Sequence, residues 1–227
     1  MRIRLFTILA LGALLASPGS LARASTGAPG LAHRGRAASP AVPWALTPLY
    51  SQNDNDAGVG IVSQDFTDPG FDIYDSNGAD DFVVPTGHVW SVKGVAVTGV
   101  YFNGSGPADN ETVYFYKDAG GLPGALLGSV TLHGIDNAGS FLLKVSNRGI
   151  RFRPGTYWVS VQAVMAFGSG GEWAFETRSV QANSAAAWQN PGDGFGTGCT
   201  TYQNMQGCIG PLGEGPDYMF AIYGTST

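Results

Sequence analysis

Apolar and polar positions alternate with a period of two through most of this chain. The clearest run is TYWVSVQAVM at 156–165, where Tyr157, Val159, Val161 and Ala163 alternate with Trp158, Ser160, Gln162 and Val164. A two-residue period puts alternate side chains on opposite faces, so this run predicts a strand with one face in a core. Shorter β-rich runs predict strands at 48–52, 59–66, 81–84, 112–117, 126–132, 140–145, 172–176, 185–188 and 217–223. The run 89–102 is long for one strand. Gly94 and Gly99 interrupt it and predict bulges or a bend between two sheets. The runs 126–132 and 140–145 read as a strand pair joined by the turn-rich residues 134–139.

Turn formers punctuate these runs. Asn53-Asp54-Asn55-Asp56-Ala57-Gly58, Asp68-Pro69-Gly70, Ser76-Asn77-Gly78 and Arg153-Pro154-Gly155 supply Asx turns and positions with positive φ. No segment carries a convincing helical pattern. About ten strands with regular turns predict an all-β fold, a two-sheet antiparallel β-sandwich with jelly-roll-like topology. Residues 190–198, NPGDGFGTG, are almost pure turn chemistry and lead directly into a segment bounded by Cys199 and Cys208.

The N-terminus follows a different pattern. Arg2 and Arg4 precede an apolar stretch at 5–15, and Ala22-Arg23-Ala24 fits a small-x-small cleavage site. Residues 1–24 therefore read as a secretory signal peptide. Residues 25–43 are rich in Ala, Gly, Pro and Ser without an apolar period, which predicts a disordered linker. The folded domain is expected over 44–227. No later stretch reaches the ~20 apolar residues of a membrane helix, so the mature chain is expected to be secreted, extracellular or periplasmic, with no membrane span. Abundant glycine (34 residues) and sparse charge (13%) fit many short strands joined by tight turns.

Loss of the signal peptide would remove three arginines and no acid. Nine basic groups would then face seventeen acidic ones, a balance of −8. That balance argues against nucleic acid and anionic membrane as partners, because both require a basic face. The two cysteines follow an export signal, so a structural Cys199–Cys208 disulfide is expected.

Four phrases carry a resemblance: GADDFVVP at 78–85, YKDAGGLPG at 116–124, PGTYWVS at 154–160 and DYMFAIY at 217–223. Together they resemble β-sandwich modules of secreted bacterial proteins, which are appended to extracellular peptidases and other hydrolases or stand alone after a signal peptide. The resemblance spans most of 49–224. It implies a non-catalytic accessory or binding role and carries no catalytic residues. The chain differs from the appended form in having no recognisable peptidase or glycosidase domain.

Two constellations could bind something. Asp54 and Asp56 lie in one dense polar turn, Asp80 and Asp81 form a second acidic cluster, and Asp217 is a third. Hard cations take several carboxylate, amide and carbonyl oxygens, so calcium is one reading, with Asp54 or Asp56 approaching Asp217 in a jelly roll. The other reading makes these acids Asx-turn caps at strand ends. The second constellation is aromatic and polar: Trp188, Gln189, Asn190, Asp193, Tyr202 and Asn204. Exposed aromatic rings can stack on sugars while amides bond the hydroxyls; buried ones pack a core. Loops on a rigid scaffold concentrate such residues.

Catalytic patterns are weak. Glu172 and Glu176 lie about 13 Å apart along one strand face, beyond the ~5–9.5 Å of the usual glycosidase pairs. Ser169 lies in FGSGG, which is not a nucleophile elbow, and His33, His88 and His133 are isolated. The sequence therefore points to a secreted, non-catalytic module that binds extracellular polysaccharide and is steadied by calcium. The alternative is a structural or protein-contact module of the cell envelope or matrix, and a small hydrolase has least support.

Overall fold

The computed structural model describes residues 27–37, 47–210, 212 and 214–227. The expected signal peptide, parts of the expected linker (25–26 and 38–43) and the expected domain start at Trp44 lie outside the described residues. In chain order the strands begin with β1 (Ala32–Arg34), β2 (Pro48–Ser51), β3 (Asp56–Val62), β4 (Gln64–Phe66), β5 (Asn77–Val84) and β6 (Trp90–Val97). Next come β7 (Gly99–Phe102), β8 (Asn110–Asp118), β9 (Pro123–Leu132), β10 (Ile135–Asn137), β11 (Ser140–Leu143) and β12 (Ile150–Phe152). The last are β13 (Gly155–Met165), β14 (Glu172–Arg178), β15 (Ala187–Gln189), β16 (Gln203–Asn204), β17 (Asp217–Tyr218) and β18 (Phe220–Ser226). Two short helices, α1 (Phe167–Gly170) and α2 (Met205–Ile209), and one 3-10 turn (Asp72–Tyr74) complete the described elements.

The fold is all-β, as the alternation predicts, and its strands form three open sheets. The five-stranded sheet runs β1-β3-β14-β17, with β7 also on β14. The six-stranded sheet runs β10-β11-β6-β18-β2, with β12 also on β6. The seven-stranded sheet runs β16-β15-β5-β13-β8-β9, with β4 also on β13 in the one parallel pairing among the described residues. The six- and seven-stranded sheets pack face to face. Phe82 stacks on Trp90 at 6.1 Å, and Phe115 meets Phe152 at 5.2 Å. The five-stranded sheet joins the same core, with Trp173 against Phe141 at 5.0 Å.

This differs from the expected two sheets of about ten strands, and the reasons are local. The run 89–102 breaks at Thr98, so β6 joins the six-stranded sheet and β7 the five-stranded one. Gly99 permits the break: a Cβ there would lie 2.5 Å from the Trp173 indole nitrogen. The C-terminal run likewise breaks at Met219, and β17 and β18 pair in different sheets. The runs 126–132 and 140–145 are not partners. β9 pairs with β8, whereas β11 pairs with β10 and β6. Within the expected linker, β1 pairs with β3 through Ala32 and Ile61. Edge pairing uses main-chain groups and needs no side-chain period, so composition did not reveal it. Cys199 and Cys208 are disulfide-bonded, as expected, which closes the segment that carries α2.

Candidate functional site

On β13, Val159 and Val161 face the core, so Trp158, Ser160 and Gln162 face outward. The register extends this outward face across the sheet. Asp81, Trp158 and Tyr116 form one row, and Ala187, Ala79, Ser160 and Tyr114 form the next. Gln162, Thr112 and Thr131 form a third. Tyr114 and Tyr116 are two residues apart on β8, and their rings stack at 6.2 Å with 20° between planes. Tyr202 meets the Tyr116 ring edge-on at 5.5 Å, and all three rings are half-buried. Beneath them Trp158 is fully buried, with its indole N–H on Asp118 Oδ1 at 2.9 Å.

Polar groups tie this face together. The Tyr114 hydroxyl donates to Gln162 Oε1 at 2.9 Å, and Gln162 Nε2 donates to the Ser76 carbonyl at 3.1 Å. The Thr112 and Thr131 hydroxyls lie 2.9 Å apart. Burial raises the phenols of Tyr114, Tyr116 and Tyr202 above the ordinary tyrosine value, and that of Tyr202 well above it. All three are therefore neutral near pH 7, and each can both donate and accept. The face combines flat apolar rings with fixed amide and hydroxyl groups, which is the chemistry of a polyhydroxylated ligand site.

The structure divides the residues of the expected aromatic platform. Trp188 is fully buried and donates its indole N–H to the Val62 carbonyl at 2.8 Å, so this ring is core and offers no stacking face. Asn190 is also buried. Its Nδ2 donates to the carbonyls of Ile73 and Asp75 at 2.7 and 2.8 Å, and its Oδ1 accepts from Phe195 N, so it staples the loop. Asp193 is exposed and accepts from Gly198 N at 2.8 Å, a turn role. Asn204 is exposed and accepts from Gly207 N at 3.2 Å as the cap of α2. Gln189 is half-buried, pairs with Asn77 across β15 and β5, and borders the tyrosine face. Tyr202 belongs to that face. Tyr114, Tyr116 and Gln162 were missed. The signal was present in 112–116, where Thr112, Tyr114 and Tyr116 alternate with Val113 and Phe115.

The acidic residues do gather, but around an arginine. Arg178 on β14 pairs in register with Asp217 on one side and Asp56 on the other. Its Nε donates to Asp54 Oδ1 at 2.7 Å, so Asp54 is committed to a guanidinium. Asp56 accepts from Gly58 N at 2.6 Å, an Asx-turn contact. Asp80 is buried and accepts from Gln52 Nε2 and Tyr218 N, both at 2.7 Å. Burial, then repulsion from Asp217, holds Asp80 well above the usual carboxylate range. Burial likewise pushes Asp217 up to about 6, while its bond from Ala182 N and the nearby Arg178 pull it back. Asp81 is buried and raised, and it accepts from Ser184 N at 3.2 Å. Asp81 Oδ1 and Asp217 Oδ1 are buried without a hydrogen-bond partner. Among the described residues, no three His, Cys, Asp or Glu side chains converge as a metal-ligand group.

No family model matches the chain. No curated protein matches it. Among solved structures it is similar to the cysteine protease and lectin-like domains of Cwp84, a surface layer associated protein of Clostridium difficile. The identity is 14% over 77% of this chain and 35% of that one, with a TM-score of 0.47. The chain thus spans about a third of the length of the chain it matches. Among the described residues no helix is long and apolar enough to cross a membrane.

Proposed function

We propose that this protein is a secreted, non-catalytic module that binds extracellular polysaccharide through the outward face of its seven-stranded sheet. The observation that carries this reading is the contiguous group Tyr114, Tyr116 and Tyr202, backed by Gln162 and the Thr112–Thr131 pair. The rings stack on the apolar faces of sugars, and the neutral phenols bond the hydroxyls, with Gln162 fixing the Tyr114 hydroxyl in place. Retention on a panel of insoluble neutral polysaccharides tests it. Tyr114→Ala with Tyr116→Ala should weaken retention about tenfold or more, from two lost aromatic contacts of roughly 1 kcal/mol each. Unchanged retention in that variant, or none on any polymer by the parent chain, overturns it and moves the weight to an envelope or matrix protein as partner.

Calcium is a separable part of this reading. Hard cations take carboxylate oxygens, and Asp81 Oδ1 and Asp217 Oδ1 are buried without partners. On this reading EDTA lowers the melting temperature and added calcium restores it, because an ion bound only to the folded state stabilises it by mass action. A melt indifferent to both leaves these acids as partners of backbone amides and of Arg178.

A further inference from the structure

The net negative charge of this chain hides a segregated basic face. The strands of the six-stranded sheet hold one acid, Asp136, which is tied to the Tyr101 hydroxyl at 2.8 Å and to Gly139 N at 2.7 Å. The same sheet and its adjoining loops hold Lys93, Lys144, Arg148, Arg151 and Arg153, five of the nine basic residues beyond residue 24, while the loop after β2 adds one acid, Asp54, paired with Arg178. None of the five makes an ion pair among the described residues; the pairs found there are Arg36 with Asp56 and Arg178 with Asp54. Lys144, Arg148, Arg151 and Arg153 are exposed, and Lys93 is half-exposed. These cations serve no internal partner, so folding stability does not account for them.

Their placement is ordered. Arg151 sits opposite Ser91 on β6, and the Ser91 hydroxyl donates to the Arg148 carbonyl at 3.3 Å. The two arginines line a groove of about 370 Å³ with Val89, Ser91, Gly149 and Thr227. The groove depends on Gly149, because a Cβ there would lie 1.9 Å from the Ser91 hydroxyl oxygen. Farther along the same outward face, Ala96, Leu142, Ala221 and Tyr223 form a small apolar floor that is itself buried. Lys144 follows that floor and lines a second hollow of about 230 Å³ with His133 and Ile135. Arg151 pairs with Ser91 and Leu143 with Val95, so Lys144 comes next after the arginine groove along β6, on the side of the molecule opposite the tyrosine face.

We infer that the outward face of the six-stranded sheet docks a linear acidic polysaccharide. Its uronate carboxylates meet Arg148 and Arg151 in the groove and Lys144 farther along β6. Charge complementarity selects this occupant. The planar guanidinium fork bonds a carboxylate with two parallel N–H donors. The negative charge elsewhere on the chain does not cancel this attraction, since screening confines exposed charges to about 8 Å at physiological salt. This docking face is separate from the tyrosine site and does not rest on it.

The test passes the parent chain and the exposed-residue variant R148Q/R151Q/K144Q over immobilised polygalacturonate, its methyl ester and polyphosphate. The parent chain is retained on polygalacturonate and not on the uncharged ester, with retention falling as salt rises. The triple variant is at least about tenfold weaker, with an unchanged melting temperature, while Arg34→Gln, an exposed cation on the five-stranded sheet, binds as the parent does. Y114A/Y116A also binds polygalacturonate as the parent does, so failure of the tyrosine site leaves this result standing. Equal retention of the triple variant, equal binding to the ester, or no retention overturns the inference. Retention on polyphosphate alone overturns the choice of carboxylate and gives the face to phosphate polymers.

Discussion

Glu172 should make stability fall as pH rises from mildly acid to neutral. It is fully buried at the start of β14, where its Oε2 accepts from Asn103 Nδ2 at 2.7 Å while its Oε1 has no partner. Burial pushes its carboxyl from the ordinary 4.5 up to about 7, against hydrogen bonds from Gly30 N and Asn103 that pull it down. Between those values the native state holds the proton and the unfolded chain releases it. Stability from this group is therefore complete below about pH 4.5 and gone above about pH 7. At about 1.4 kcal/mol per unit, that interval is worth at most about 3 kcal/mol. The perturbation is Glu172→Gln, which keeps the shape and removes the titration. Urea unfolding of both chains at several pH values across that interval reads the difference. Other raised acids, Asp75 at about 6 and Glu176 at about 9, titrate in both chains and cancel. Relative to the parent, the glutamine variant should gain about 3 kcal/mol from the acid end to the neutral end. A parent–variant difference that stays constant with pH refutes the reasoning.

Two further outcomes test the packing. Trp188→Ala should cost about 3–5 kcal/mol in urea unfolding, because it empties a fully buried site and leaves the Val62 carbonyl with Ser76 Oγ as its remaining side-chain donor. A surface platform residue would cost far less. Gly78→Ala should lower the melting temperature by the equivalent of roughly 1–3 kcal/mol, since its Cβ would lie 2.6 Å from the Tyr218 ring. Gly128→Ala, with nothing within 4 Å, should melt nearly as the parent does.

Much of the local grammar was legible. The alternation at 156–165 correctly separates Val159 and Val161, which are core, from Ser160 and Gln162, which face outward. The glycine at 99 marks the bend between sheets. The candidate site was less legible. A tryptophan in a turn-rich segment and one on a stacking face have the same local sequence signal, so Trp188 and Tyr202 looked alike before packing placed one inside. Charge was misleading in bulk, because a net balance says nothing about which sheet holds the arginines. The acids near Arg178 illustrate the same point. Asp54 and Asp217 are 163 positions apart, and β14 supplies the cation between them.

By itself, the sequence determined the all-β class, the two faces of its clearest strand and the disulfide partners. Each depends on steric rules within a few residues or on a single cysteine pair. Tertiary structure alone decided that β6 and β7 part into different sheets, that β9 and β11 never pair, and that Tyr114, Tyr116 and Tyr202 meet. It also decided that five cations collect on the six-stranded sheet and its loops, whose strands hold the single acid Asp136. Strand pairing is a contest among distant main-chain edges that differ little in local preference. Core packing across the whole chain settles that contest, and a window of sequence does not contain it.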